Sequence, residues 1–195
     1  MGCQVPDRNI EFGKFGARGV KGYEAVARQL DRLAGFVATP VTVRRGLMAR
    51  LHYLTRSDHA RAAAREAGLT VTDRTLKAWL EGKRAPSRRN LARIEEAYRA
   101  VRRKNVARYL LGRLNRGGRG TRVEFHPLNQ SQVSRPHQRV VAYRTLNVRH
   151  WDAVIRAWAD NDDDALDHAW FDGITIELGS DYGAYEYVTN IGFAA

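Results

Sequence analysis

The sequence predicts an α+β protein: an N-terminal all-α helix-turn-helix module with a long basic helix, followed by a small α+β C-terminal unit. Three observations carry this. Apolar residues recur at helical spacing from Ala25 to Leu114. The stretch Asn115-Arg116-Gly117-Gly118-Arg119-Gly120 then interrupts the pattern. Past it, alternating runs such as Ile174-Thr175-Ile176-Glu177-Leu178 introduce strands. The expected division is 1–40, an N-terminal arm and first helix; 41–115, the helix-turn-helix domain; 116–138, a flexible basic linker and loop; and 139–195, an acidic α+β domain.

Residues 1–19 are Gly-rich and polar and read as a flexible arm, with Phe12 and Phe15 as its apolar anchors. A first helix is expected from about Gly22 to Gly35, with Ala25, Val26, Leu30, Leu33 and Ala34 on one side, and Thr39-Pro40 breaks it. A second helix over about Val43–Thr55 carries Leu47, Leu51 and Leu54. Ser57 caps a third helix through Ala60, Ala62, Ala63, Ala64 and Ala67, whose small side chains suit a close helix crossing, and Gly68 stops it. Thr72 or Asp73 caps a fourth, where Leu76, Trp79 and Leu80 form the apolar stripe while Arg74, Lys77 and Glu81 point the other way. Pro86-Ser87 opens a fifth helix with Leu91, Ile94, Tyr98 and Val101 on its stripe, running on through Val106, Tyr109, Leu110 and Leu114. After the Gly-rich stretch, Arg139–Val148 reads as a strand, and Trp151–Trp158 and Leu166–Trp170 as helices. Ile174–Leu178 reads as a strand, Gly179–Gly183 as a turn, and Tyr185–Phe193 as a returning strand.

Charge is unevenly spread. The net charge is +12, yet residues 1–150 carry 32 Lys and Arg against 11 Asp and Glu, whereas residues 151–195 carry 1 against 10. Between Arg44 and Arg122 the count is 22 against 6. A polyanion is the partner such a surface selects, and DNA is expected from the paired helices. The candidate contacts are Arg74, Thr75, Lys77, Lys83, Arg84, Arg88, Arg89, Arg93, Arg102 and Arg103. An ordinary helical hairpin without DNA contact is the bland alternative, and the local charge argues against it.

Other chemistry is poorly supported. Cys3 is the only cysteine, so no internal disulfide forms and a reducing compartment fits. No run of apolar residues is long enough to cross a membrane, so no membrane partner and a cytoplasmic, nucleoid-associated location are expected. The Met1-Gly2-Cys3 start lacks the rest of a lipidation pattern, since Pro6 stands where Ser or Thr is needed. The histidines show no paired ligand spacing, Asp160–Asp164 lacks the glycine and glutamate of a calcium loop, and no P-loop occurs. That leaves hydroxyl groups: Thr121, Ser131, Ser134 and Thr145 lie past the Gly-rich stretch, and Arg135 and His137 follow Ser134 closely. Most loop serines only form hydrogen bonds.

The order of parts resembles the telomere terminal protein (Tpg) family of actinomycete linear chromosomes and plasmids. The resemblance is carried by Met48-Ala49-Arg50-Leu51-His52-Tyr53-Leu54, Arg74-Thr75-Leu76-Lys77-Ala78-Trp79-Leu80 and Lys83-Arg84-Ala85-Pro86-Ser87-Arg88-Arg89-Asn90-Leu91-Ala92. It continues in Thr121-Arg122-Val123-Glu124-Phe125 and in the region from Trp170-Phe171-Asp172-Gly173 to Leu178. It covers roughly three quarters of the chain, by pattern more than identity, and leaves residues 1–40 aside. It implies a protein that caps linear DNA ends and primes synthesis, a hydroxyl side chain becoming linked to the 5′ end. Counted without gaps, the family's linking threonine falls on Ser134, with Ser131 and Thr121 in reserve. Serine for threonine and a longer turn between the paired helices are departures from the family pattern. The implied partners are telomeric or terminal DNA, a DNA polymerase and a telomere-binding replication protein, with homodimerisation as an option. No intrinsic cofactor is implied; Mg2+ and dNTP arrive with the polymerase. The alternatives are a repressor-like transcriptional regulator with a C-terminal dimerisation or partner domain, and a DNA-coating protein relying on arginines alone.

Overall fold

A computed structural model of the chain describes residues 16–194. The anchors expected at Phe12 and Phe15, and the Met1-Gly2-Cys3 start, lie outside the described residues. The fold is mixed α+β. In chain order it comprises β1 (Val20–Lys21), α1 (Gly22–Leu33), α2 (Arg44–Thr55), α3 (Asp58–Glu66), α4 (Asp73–Leu80) and α5 (Arg88–Asn115). Then follow β2 (Thr121–Pro127), β3 (Arg144–Val148), α6 (Asp152–Asp160), α7 (Asp163–Phe171) and β4 (Tyr187–Ala194). Two compact units result. One takes the residues up to Leu33, Tyr109–Trp158 and Asp162 onward; the other takes Ala34–Arg108 and Ala159–Asn161.

The helical unit is built on α2, against which both α3 and α4 lie. Its core combines Leu51 and Leu54 of α2, Ala64 of α3, Leu69, Leu76 and Trp79 of the α4 region, and Ile94, Ala97, Tyr98 and Val101 of α5. Local signals set the ends of these helices. Ser57 Oγ accepts from the Ala60 amide at 3.1 Å, and Thr72 Oγ1 accepts from the Thr75 amide at 3.2 Å; each cap contributes about 1 kcal/mol. At the end of α3, Gly68 adopts φ +92°, while the Leu69 and Gly68 amides donate to the carbonyls of Ala64 and Arg65. That is a Schellman closure, and it buries Leu69 as the hydrophobic seal.

The other unit is a four-stranded antiparallel sheet in the order β1-β4-β2-β3. Val123 and Phe125 of β2, Ile191 and Val188 of β4, and Val148 of β3 face its core. Trp170 of α7 stacks on Phe125 at 5.4 Å, Trp151 meets Phe193 edge-on, and the Trp158 indole donates to Asp31 of α1 at 2.9 Å.

Three expectations give way here. Residues 116–138 are not a flexible linker and loop throughout: Arg116–Gly118 form a 3-10 turn, and Thr121–Pro127 form a central strand paired on both sides. Gly120, at φ +76°, makes this tight entry, because a Cβ there would fall 2.4 Å from the Val148 carbonyl oxygen. Ile174–Leu178 is not a strand but part of a 3-10 stretch, Thr175–Tyr185. The Ile174 amide donates to Trp170 and the Thr175 hydroxyl to Phe171, so the chain continues winding from α7, and the buried Ile174 and Leu178 sit four residues apart. Packing overrides β-branched propensity there. The strand expected over Arg139–Val148 pairs only from Arg144, and Val140 is fully exposed.

Candidate functional site

The exposed basic residues of the helical unit begin on α4. Thr72 caps this helix and Asp73 forms an ion pair with Arg65 at 2.7 Å, leaving Arg74 exposed in the first turn. Thr75 is half-buried and its hydroxyl lies 2.9 Å from that of Thr72, so it serves the cap. Lys77 is exposed, 3.9 Å from Glu81. Gly82 turns the chain, and the Lys83 and Arg84 amides donate back to Ala78, presenting both side chains to solvent. Lys83 also bonds Glu81 at 2.8 Å; this holds the Glu81 carboxyl below its ordinary pKa and raises that of the Lys83 ammonium. Arg88 and Arg89 are exposed and Arg93 is half-buried.

Two expected contacts are instead structural. Arg102 donates twice to the Ala34 carbonyl, at 3.0 and 2.8 Å, and lies over the Tyr53 ring. Arg103 is 9% exposed and bonds the Asn161 side chain. Both were expected among the DNA contacts, and packing against Ala34, Tyr53 and Asn161 occupies them instead.

A further exposed arginine pair, outside the helix-turn-helix motif, borders the same loop. Arg44 opens α2 next to Arg45, both exposed, and a Cβ on Gly82 would lie 3.2 Å from Arg44 Nη2. Arg44 therefore borders the loop that follows α4. Neither α2 nor α5 has an acidic residue in its first turn; each opens on an arginine pair, Arg44-Arg45 and Arg88-Arg89. Cations at a helix N-terminus oppose the helix dipole, whereas an anion there is stabilised. That placement is the one signal in the sequence that sets these two pairs apart from the other arginines.

The hydroxyl candidates separate cleanly. Thr121 is fully buried and donates to the Leu114 carbonyl at 2.6 Å, so it is no exposed nucleophile. Ser134 and Ser131 are exposed on the loop joining β2 to β3. That loop is tied down. Val133 is buried, Gln138 donates to its carbonyl at 2.7 Å, and the Gln130 side chain holds Arg139 through two bonds at 2.9 and 2.8 Å. Ser134 precedes a 3-10 turn, Arg135–His137, and its side chain makes no capping bond.

Among the described residues, no group of three or more His, Cys, Asp or Glu is placed to hold a metal ion, and no helix is long and apolar enough to cross a membrane. Comparison with protein-family models, curated proteins and solved structures finds no match for this chain.

Proposed function

We propose that the chain is a DNA-binding terminal protein, in which the helical unit grips DNA and the loop bearing Ser134 accepts the first nucleotide from a polymerase. α3 and α4 act as a helix-turn-helix pair, with Arg74 and Lys77 toward the groove and Lys83, Arg84, Arg88, Arg89 and Arg44 toward phosphates. The observation that carries the reading is the pair of helices opening on Arg-Arg without a compensating acid, next to the exposed loop after α4. The priming half rests on the resemblance to the Tpg family and on the exposure of Ser134.

The transfer balances simply. The Ser134 oxygen attacks the α-phosphorus of a dNTP, a phosphoester forms, pyrophosphate leaves, and the hydroxyl proton passes to a base. Metal ions and positioning come with the polymerase and its dNTP. Ser134 contributes an oxygen whose neighbours on the loop are fixed. Incubation with polymerase, a single-stranded template and labelled dNTP is expected to give label that survives boiling in detergent and is lost in Ser134→Ala. Unchanged label in that variant excludes Ser134. Absence of label on every template, with operator-like duplex binding retained, favours the repressor-like reading.

A further inference from the structure

One face of the sheet is lined by polar and aromatic side chains. Along β2, Val123 and Phe125 are fully buried, while Arg122, Glu124 and His126 alternate onto the opposite face. The strand register sets Asn147 beside Arg122 and Thr145 beside Glu124, and both are exposed. Tyr143, just before β3, is 47% exposed and stands edge-on to the His126 ring at 5.2 Å. The Tyr185 hydroxyl fixes the adjoining backbone by donating to the Ala142 carbonyl at 2.5 Å.

The segment that builds this face is basic. Residues 116–150 contain seven arginines and a single acid, Glu124, which lies 3.8 Å from Arg122. The acids of α7 belong to a helix packed on the other side, where Trp170 stacks on Phe125. The sheet therefore separates an acidic helical layer from a polar surface that carries Arg122 and an aromatic pair.

We propose that this open face binds single-stranded DNA, with bases on the Tyr143–His126 pair and phosphates toward Arg122. Base faces on aromatic rings with cations along the backbone are the chemistry of single-strand recognition, and a paired duplex hides the base faces. An acidic peptide would match the charge and leave the aromatic pair unused. The inference deepens the DNA-binding reading above and rests on it. The Ser134 loop joins β2 to β3 at the end of the strands where His126 and Tyr143 lie, so a strand on this face passes next to the loop.

Fluorescence anisotropy on the full chain, with a labelled short oligothymidylate and a labelled duplex, tests this. Tyr143→Ala is expected to weaken oligothymidylate binding about tenfold, the loss of one base–aromatic stack. Tyr143→Phe should retain it, and duplex affinity should be unchanged in both. Arg122→Ala should lower oligothymidylate affinity and its salt dependence, while Arg74→Ala should affect the duplex alone. Unaltered oligothymidylate binding in correctly folded Tyr143→Ala and Arg122→Ala proteins overturns the proposal. So does preferential displacement of oligothymidylate by polyglutamate. Oligothymidylate binding that responds to Tyr143→Ala, in a protein that binds no duplex, supports this face and refutes the helix-turn-helix reading.

Discussion

Arg50 carries its charge at 3% exposure and is held by four partners. Its guanidinium donates to the carbonyls of Thr39, Gly46 and Val37 and pairs with Glu95 at 2.5 Å. It pins the segment before α2 to α5, a task invisible in a list of basic residues. Arg50→Met leaves three carbonyls without their donor and Glu95 with Arg99 alone, so chemical denaturation should show a loss of about 3 kcal/mol; a change within error would show that Arg50 does not hold the core together. Asp167 is strained in the opposite sense. Partial burial raises its carboxyl pKa, with Lys21 acting against the shift. A carboxyl with a raised folded pKa favours folding at pH values below its unfolded pKa, and that contribution fades as pH rises through the folded value. Asp167→Asn should therefore raise Tm at pH 7, with the gain shrinking toward pH 4. Arginines on this chain divide the same way: Arg50, Arg102 and Arg103 serve the fold, whereas Arg74, Arg84, Arg88 and Arg89 remain at the surface.

Elements bounded by short-range chemistry were legible in the sequence. Ser57, Gly68 and Thr72 mark the ends of α3 and α4 because caps and left-handed stops act within a few residues. The strand β2 was not legible, since its neighbours β3 and β4 arrive from far along the chain and Gly117–Gly120 before it resembles a linker. Ile174–Leu178 misled in the opposite direction, its alternation giving way to the winding continued from α7. Exposure of Ser134 was foreseen, while burial of Thr121 depends on a carbonyl at the end of α5. Two glycines test the element boundaries. Gly120→Ala forces a Cβ against Val148 and should cost more than about 1 kcal/mol. Gly112→Ala, inside α5 with nothing within 4 Å of its Cβ, should stabilise by up to about 1 kcal/mol. Equal effects in thermal unfolding would contradict the assigned turn.

At the scale of the whole molecule, charge is sorted along the chain, +21 over residues 1–150 and −9 over residues 151–195. The acids of the last segment repel a polyanion, so under the proposed function its contacts are the exposed basic residues of α2, α4 and the start of α5, with Arg122 on the sheet. The most direct test is the salt dependence of duplex affinity for the full chain and for Arg44→Ala/Arg88→Ala. DNA gripped by these arginines gives a linear log–log plot with a slope of about −4 or steeper, made shallower by about one for each phosphate contact removed. Affinity that is insensitive to salt, or a slope identical in the double variant, would contradict it.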